Sequence, residues 1–430
     1  MFGGGSGGGA EEALREEVRR LQQSVETLSI LNDLTLAMTQ TTDPEKAVEK
    51  LVDRSMRAVN AEQATVKLLR HEKTDSLQTQ VDIAVSSAEH MSLGNDGLLL
   101  GWMLLNNKPR IINDPRNDKD FRGASWDKSV RSVMCLPLTS KRELTGILTL
   151  YNKRSETGFT AEDQQLLSII GAQAAQIIGN AKLVKDVNRM EEQLSLAEQI
   201  QTTLFPTTPP RLAGYDIAGR SIPAQSVGGD YYDWIPIDDT RLAVCLGDVS
   251  GKGLPASLIM ANAQATLRGQ TLVEAPVAER IGRSNKLLYN STDDERFVTL
   301  WYCVLDAASH ELTYASAGHE HPFLVSADGS VRRLEMGGLA LGVFEEFTYD
   351  EETIAMAPDD VLVVYSDGVP DATTEADVQF SDDAIAPLIV EHRGESAGAI
   401  VEKILSAVNA HAGDAPQFDD LTVVVVKRNA

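Results

Sequence analysis

The chain has 430 residues, 43% of them hydrophobic and 24% charged, which is room for two or three domains with packed cores. Its formal net charge of −24 repels phosphate backbones and anionic lipid surfaces, so neither nucleic acid nor membrane is expected as a partner. Three cysteines, Cys135, Cys245 and Cys303, sit singly in apolar stretches without a CxxC pair, which argues against a disulfide framework or zinc site and for a reducing, cytoplasmic setting.

Residues 1–10, MFGGGSGGGA, read as a flexible Gly/Ser linker. From Glu11 onward Leu14, Val18, Leu21, Val25 and Leu28 alternate steps of four and three. That heptad seam predicts an N-terminal coiled-coil helix over 11–29. A helix is expected over 44–59 after Asp43-Pro44. ATVKLLR and TQVDIAVSS read as strands, and SVMCLPLTSKRELTGILTLYNK as a hairpin turning near Arg142. GFTAEDQQLLSIIGAQAAQIIGNAKL then predicts a long helix, with Thr160 as N-cap and Asp163 three residues on. The helix continues through a second seam of Leu183, Val187, Met190, Leu194, Ala197, Gln201 and Leu204, and is expected to stop at Pro206. Gln201 is a polar residue at a seam position, a device that fixes register at some cost in stability.

In order, Gly101-Trp102 before Lys-Pro, the IIND segment, the VMCLPL and LTGILTLYN strands and the FTAEDQQLL…QAAQII helix make residues 30–180 resemble a GAF domain. The resemblance implies a sensor for a small molecule or a protein contact. Asn152, Lys153, Phe159 and Asp163 match part of a cyclic-nucleotide signature, but Gln164 stands where that signature has Glu, so a nucleotide ligand is not expected. No Cys-His pair suggests a covalent bilin.

The segment after Leu212 carries four acidic motifs, SVGGDYYDW, LAVCLGDVSGKGLPASLIM, VLVVYSDGVPDAT and PQFDDLTVVVV. Each sets an aspartate at the border of an apolar strand and a turn. A hairpin symmetric about Asp239 places Asp230 opposite Asp248. At about 4 Å, two carboxylates repel by roughly 4 kcal/mol at an effective dielectric of 20, so the pairing asks for a cation between them. Asp367 follows one buried-strand pattern, and Asp419 and Asp420 precede another. Oxygen-only, carboxylate-rich surroundings suit Mg²⁺ or Mn²⁺. GDVSGKG is not a P-loop, because three residues rather than four separate its first two glycines and Gly253 follows Lys252.

The ordered set GGDYYD, GDVSGKGLPASLIM, FVTLWYCVLD, LTYASAGHEHP, ALGV, YSDGV, FDDLT resembles the bacterial PPM-type phosphatases of the sporulation-protein and stress-regulator class over about 215 residues. The resemblance implies an α-β-β-α sandwich, two Mn²⁺ or Mg²⁺ ions and a set of roles. Asp248 would bridge both metals, the Val249 carbonyl would bind one, Asp367 and Asp419 would hold the other, and Asp230 would support the site. The role of Asp420 stays open. Two such cations bring a water's pKa down from 15.7 toward neutrality, and in-line attack on phosphorus would follow. His319 is a candidate proton donor to the leaving oxygen, or a structural turn histidine. Gln225 stands where eukaryotic relatives have a phosphate-binding Arg, and Arg220 does not match that position, which leaves the phosphate holder open.

The expected fold is therefore α+β and multidomain: an α/β GAF domain (30–180), a helical coiled-coil linker (181–206) and an α-β-β-α sandwich phosphatase domain (207–430). The expected function is dephosphorylation of a phosphorylated regulator, a STAS-type anti-anti-sigma factor, by a homodimer joined through its coiled coil. The alternatives are a non-catalytic signalling scaffold on a phosphatase fold, or another two-metal enzyme such as a nuclease or cyclase. The four carboxylates argue against the scaffold, and the lack of a basic groove or nucleotide motif against the nuclease or cyclase.

Overall fold

The computed structural model describes residues 14, 15, 17, 18, 44–71, 77–86, 96–122, 124, 126–140, 143–292 and 296–430. Residues 1–10 and most of the expected helix over 11–29 lie outside these; Leu14, Arg15, Glu17 and Val18 are helical. The chain divides into two compact units, Met1–Met190 and Glu191–Ala430.

In the first unit α1 (Pro44–Ala58), β1 (Ala61–His71), β2 (Leu77–Ser86), α2 (Asp96–Asn106), β3 (Arg110–Ile112), β4 (Val133–Ser140) and β5 (Glu143–Lys153) lead into α3 (Ala161–Thr202). The strands form an antiparallel sheet in the order β2-β1-β5-β4-β3. Side chains alternate across it, as the two-residue period of a strand requires. Met134, Leu136, Leu148 and Leu150 face a core built with α1 and the first turns of α3. Val133, Cys135, Ile147 and Tyr151 face a second core with Leu99 and Met103 of α2. Ser140 pairs with Glu143; residues 141–142, where the turn near Arg142 is expected, lie outside the described residues.

The start of α3 is a reciprocal capping box of the expected kind. The Thr160 N–H donates to Asp163 Oδ2 at 2.8 Å, and the Asp163 N–H donates to Thr160 Oγ1 at 3.3 Å. The helix runs 42 residues and ends at Thr202, four residues before the expected stop at Pro206. Leu204 and Phe205 explain the early end. Both are partly buried against the cores of the second unit, which draws the chain off the helix axis before the proline is reached. Upstream, Leu183, Val187 and Met190 of the seam are exposed.

The second unit continues with β6 (Tyr215–Ile222), β7 (Tyr231–Pro236), β8 (Arg241–Val249), α4 (Leu254–Thr271), α5 (Val277–Tyr289), β9 (Val298–Asp306), β10 (Glu311–Ala317), β11 (Phe323–Val325), β12 (Val331–Arg333), β13 (Glu352–Ala355), β14 (Val361–Tyr365), α6 (Gly368–Asp371), α7 (Asp382–His392), α8 (Ala397–Ala412) and β15 (Leu421–Arg428). Two antiparallel sheets result, in the orders β13-β10-β9-β8-β7 and β12-β11-β14-β15-β6. Alternation again assigns the faces. Leu242, Val244 and Leu246 of β8 and Val424 and Val426 of β15 meet between the sheets, around Trp301 and Tyr314. Ala243 and Cys245 turn outward to Met260, Leu267 and Ile281 of α4 and α5. Val423 and Val425 turn outward to Ile400, Ile404 and Leu405 of α8. Helix, sheet, sheet and helix layers are thus dictated by the hydrophobic pattern, and they match the expected sandwich. All three cysteines are buried and none is disulfide-bonded.

Candidate active site

The acidic motifs meet where the ends of both sheets come together. Tyr231 pairs with Gly247 and Pro236 with Leu242, in unbroken register between. Asp230, one residue before β7, therefore falls beside Asp248, near the end of β8, as the hairpin symmetry predicts. The two carboxyl groups are close enough for the charge of Asp248 to act on Asp230. The second sheet supplies Asp367, just past β14, and Asp419 and Asp420, just before β15, which is β14's neighbour.

Burial and mutual repulsion dominate the electrostatics. Asp230 is 2% exposed, and burial, then the charges of Asp248 and Asp420, push its pKa well above the carboxylate range. Burial, then Asp367 and Asp419, raise Asp248 to about 8. Burial, then Asp419, Asp371 and Glu320, raise Asp367 to about 6. Among the described residues no three acidic, His or Cys groups already close around one point to hold a cation. The donor set nonetheless fits a divalent cation. It is made of oxygen alone, Asp230 Oδ2 is buried with no hydrogen-bond partner, and the raised pKa values mark carboxylates that lack compensating positive charge. Room for close approach comes from Gly229. A Cβ there would lie 2.8 Å from the Val249 carbonyl oxygen and 3.5 Å from Asp248 Oδ1, so this carbonyl faces the Asp230 loop.

Asp420, whose role the sequence leaves open, is a brace. Its Oδ1 accepts from the Ala224 N–H at 2.8 Å, and its Oδ2 accepts from the N–H groups of Gly229 and Asp230 at 2.7 and 3.2 Å. Three backbone donors occupy the carboxylate and fix the loop that delivers Asp230. Asp420→Ala should therefore lower thermal stability, with hydrogen bonds to a charged group contributing roughly 1.5–3 kcal/mol each. It should also weaken Mn²⁺ binding measured by calorimetry; unchanged affinity would remove the brace.

Gln201, near the end of α3, holds the same loop from the other side. Its Nε2 donates to the Gly228 carbonyl at 2.7 Å, and the Gly228 N–H donates to its Oε1 at 3.1 Å. The polar seam position in the sequence thus serves a contact two residues from Asp230. No sequence signal names Gly228 as its partner.

His319 is 6% exposed, and burial pushes its pKa down to about 3. Its Nδ1 lies 2.9 Å from Thr299 Oγ1, and that hydroxyl donates to the Asp248 carbonyl at 3.4 Å. A neutral imidazole so enclosed suits the structural alternative, a support for Thr299, better than proton donation to a leaving group. Arg220 is held by Glu402 at 2.6 and 2.7 Å.

In the first unit the nucleotide-signature residues serve the fold. Asn152 Oδ1 accepts from the Arg131 N–H and its Nδ2 donates to the Ser129 carbonyl. Lys153 pairs with Asp163, and Phe159 is buried.

Comparison with known proteins bears on both units. The family model described as Stage II sporulation protein E (SpoIIE) matches residues 238–429, and the one described as GAF domain matches residues 41–179. Phosphoserine phosphatase RsbU of Bacillus subtilis is 30% identical over 240 residues, covering 56% of this chain and 71% of RsbU. The chain belongs to the SpoIIE family of PPM-type phosphatases. It is a serine/threonine phosphatase by that membership, with a GAF domain ahead of the catalytic unit. Protein IcfG of Synechocystis is 30% identical over 277 residues, covering 58% of this chain but 43% of IcfG. Among solved structures, the SiaA-PP2C domain of Pseudomonas aeruginosa is similar at 20% identity and a TM-score of 0.49, over 56% of this chain and 98% of that one. Asp248, Val249, His319, Asp367 and Asp419 lie inside the SpoIIE match, and Asp230 lies before it.

Proposed function

We propose that this chain dephosphorylates a phosphoserine or phosphothreonine of a STAS-type anti-anti-sigma regulator, using two Mn²⁺ or Mg²⁺ ions held by Asp230, Asp248, the Val249 carbonyl, Asp367 and Asp419. The observation that carries this reading is the convergence of buried, mutually repelling carboxylates from two sheets, one with an orphaned oxygen. RsbU, a phosphoserine phosphatase by name, supports the substrate class. When bound, such cations lower the pKa of a water and offset charge on phosphoryl oxygens. The chain's own contribution is placement. Asp420 and Gln201 fix the loop carrying Asp230, the β7–β8 register fixes Asp248, and β14 and β15 present Asp367 and Asp419. Phosphate release from an aryl phosphate with Mn²⁺ tests the site, because Asp367→Asn should abolish it; activity surviving that change would overturn the assignment.

We further propose a cytoplasmic homodimer in which the GAF domain acts through α3. Three buried cysteines outside any disulfide and the absence, among described residues, of a helix long and apolar enough to cross a membrane are consistent with that location. The exposed apolar residues Leu183, Val187 and Met190 support a helix-to-helix seam, and the Gln201–Gly228 pair supports a route to the site. Inserting one residue near Arg189 rotates the following helix by about 100° and should uncouple activity from the GAF domain. Gln201→Ala should lower basal activity severalfold at saturating Mn²⁺. Regulation unchanged by the insertion would exclude transmission through the helix.

A further inference from the structure

We propose that Lys252 binds the phosphoryl group of the substrate, an inference that rests on the phosphatase reading above. A phosphomonoester dianion must approach Asp230, Asp248, Asp367 and Asp419, with Glu320 and Asp371 close enough to raise Asp367 further. Positive charge from the protein is therefore at a premium there. Among the described residues, the ion pair recorded on this cluster joins Lys252 Nζ to Asp419 Oδ2 at 3.1 Å. Other basic side chains of the unit pair with other groups: Arg220 with Glu402, Arg268 with Asp233 and Arg333 with Asp382 and Tyr365.

The loop that carries Lys252 is shaped to present it. Gly251 and Gly253 flank the lysine with φ of 94° and 70°, a backbone region that side chains other than glycine rarely enter. The ammonium donates to the Phe418 carbonyl and sits 3.4 Å from the centroid of the Phe418 ring, so it is tethered at the rim of the site. Lys252 and Asp419 side chains are 33% and 30% exposed, which leaves the pair open to an incoming ligand. An ammonium has three N–H donors. The Phe418 carbonyl takes one, and Asp419 is an ion-pair partner at 3.1 Å, which leaves donor capacity for a phosphoryl oxygen. The neutral Gln225 side chain lies alongside this loop, with its Oε1 2.8 Å from where a Gly253 Cβ would stand.

The test compares wild type, Lys252→Met and Lys252→Arg as full-length, Mn²⁺-loaded protein. Five quantities are measured: kcat and KM for a phosphoserine peptide, the inhibition constant of inorganic phosphate, and the affinities for Mn²⁺ and for phosphate by calorimetry. Lys252→Met should raise KM and the phosphate inhibition constant about tenfold, the scale of one lost charge-assisted hydrogen bond. Lys252→Arg should recover most of that, and Mn²⁺ affinity should stay within about threefold of wild type. Unchanged KM and phosphate binding in Lys252→Met would overturn the proposal. So would a tenfold tighter grip on Mn²⁺ with unchanged phosphate binding, which would make Lys252 a competitor of the metal at Asp419. If wild type hydrolyses no phosphopeptide, the phosphatase reading fails by itself, and the calorimetric phosphate affinities still decide the role of Lys252.

Discussion

Asp248→Asn should make the metal-free protein more stable at pH 8 while removing its activity. The folded-state pKa of Asp248 is raised from 3.8 to about 8, by burial first and by Asp367 and Asp419 next. A carboxyl with a folded pKa above its unfolded value favours the fold below the unfolded pKa. That contribution is lost as pH rises from about 4 toward 8. Asp367, raised to about 6, loses its share earlier in the same direction. Metal-free wild type should therefore melt at a lower temperature at pH 8 than at pH 6. The amide side chain of the Asp248→Asn variant does not ionise and removes Asp248's share of this decline, on the order of a few kcal/mol, or several degrees of melting temperature. Mn²⁺ should reverse the order. It binds the folded state, stabilises wild type by mass action and leaves the variant little changed. Phosphatase activity should fall by roughly 10³-fold, the scale set by loss of a preorganised electrostatic element. A variant that melts below wild type at pH 8 in chelator would contradict this account of the cluster.

Gly368→Ala is the second change expected to have a large effect. A Cβ on Gly368 would stand 2.1 Å from the Asp420 carbonyl oxygen and 3.2 Å from the Asp419 Cβ. The obstacle is backbone, so no rotamer change relieves it, and the start of β15 must move away from the end of β14. Overpacking of this kind costs about 1–3 kcal/mol or more. Here the displaced segment carries Asp419 and the Asp420 brace, so Mn²⁺ affinity should drop together with stability. Gly269→Ala on α4 is the control. Nothing lies within 4 Å of its added Cβ, and alanine favours a helix interior. Equal behaviour of the two variants in a thermal melt would show that the close contact at Gly368 is unimportant.

Much of the fold is written in simple periodicities. The apolar runs VLVVY and LTVVVV give strands buried on both faces, and turn residues at Asp238–Thr240 set the register that brings Asp230 to Asp248. Thr160 and Asp163 mark the start of α3. Its end is not legible in the same way, because proline marks where a helix cannot continue, whereas here tertiary packing of Leu204 and Phe205 ends it earlier. The contacts of Asp420 and Gln201 escape the sequence for a related reason. Their partners are backbone groups 190 and 27 residues away, and a backbone amide carries no residue-type signal. His319 sits in a motif that suits a proton donor, and only its enclosure, read from the folded chain, argues otherwise.

The place of β15 has a consequence for synthesis. This strand lies between β14 and β6, so the strand that opens the sandwich has no neighbour in its sheet until residues 421–428 have been made. Asp419 arrives just ahead of them. A nascent chain on the ribosome therefore carries Asp230, Asp248 and Asp367 for a long interval with neither a closed sheet nor a complete set of carboxylates. Closure of this sheet waits for residues 421–428, and fragments truncated before β15 are expected to be inactive.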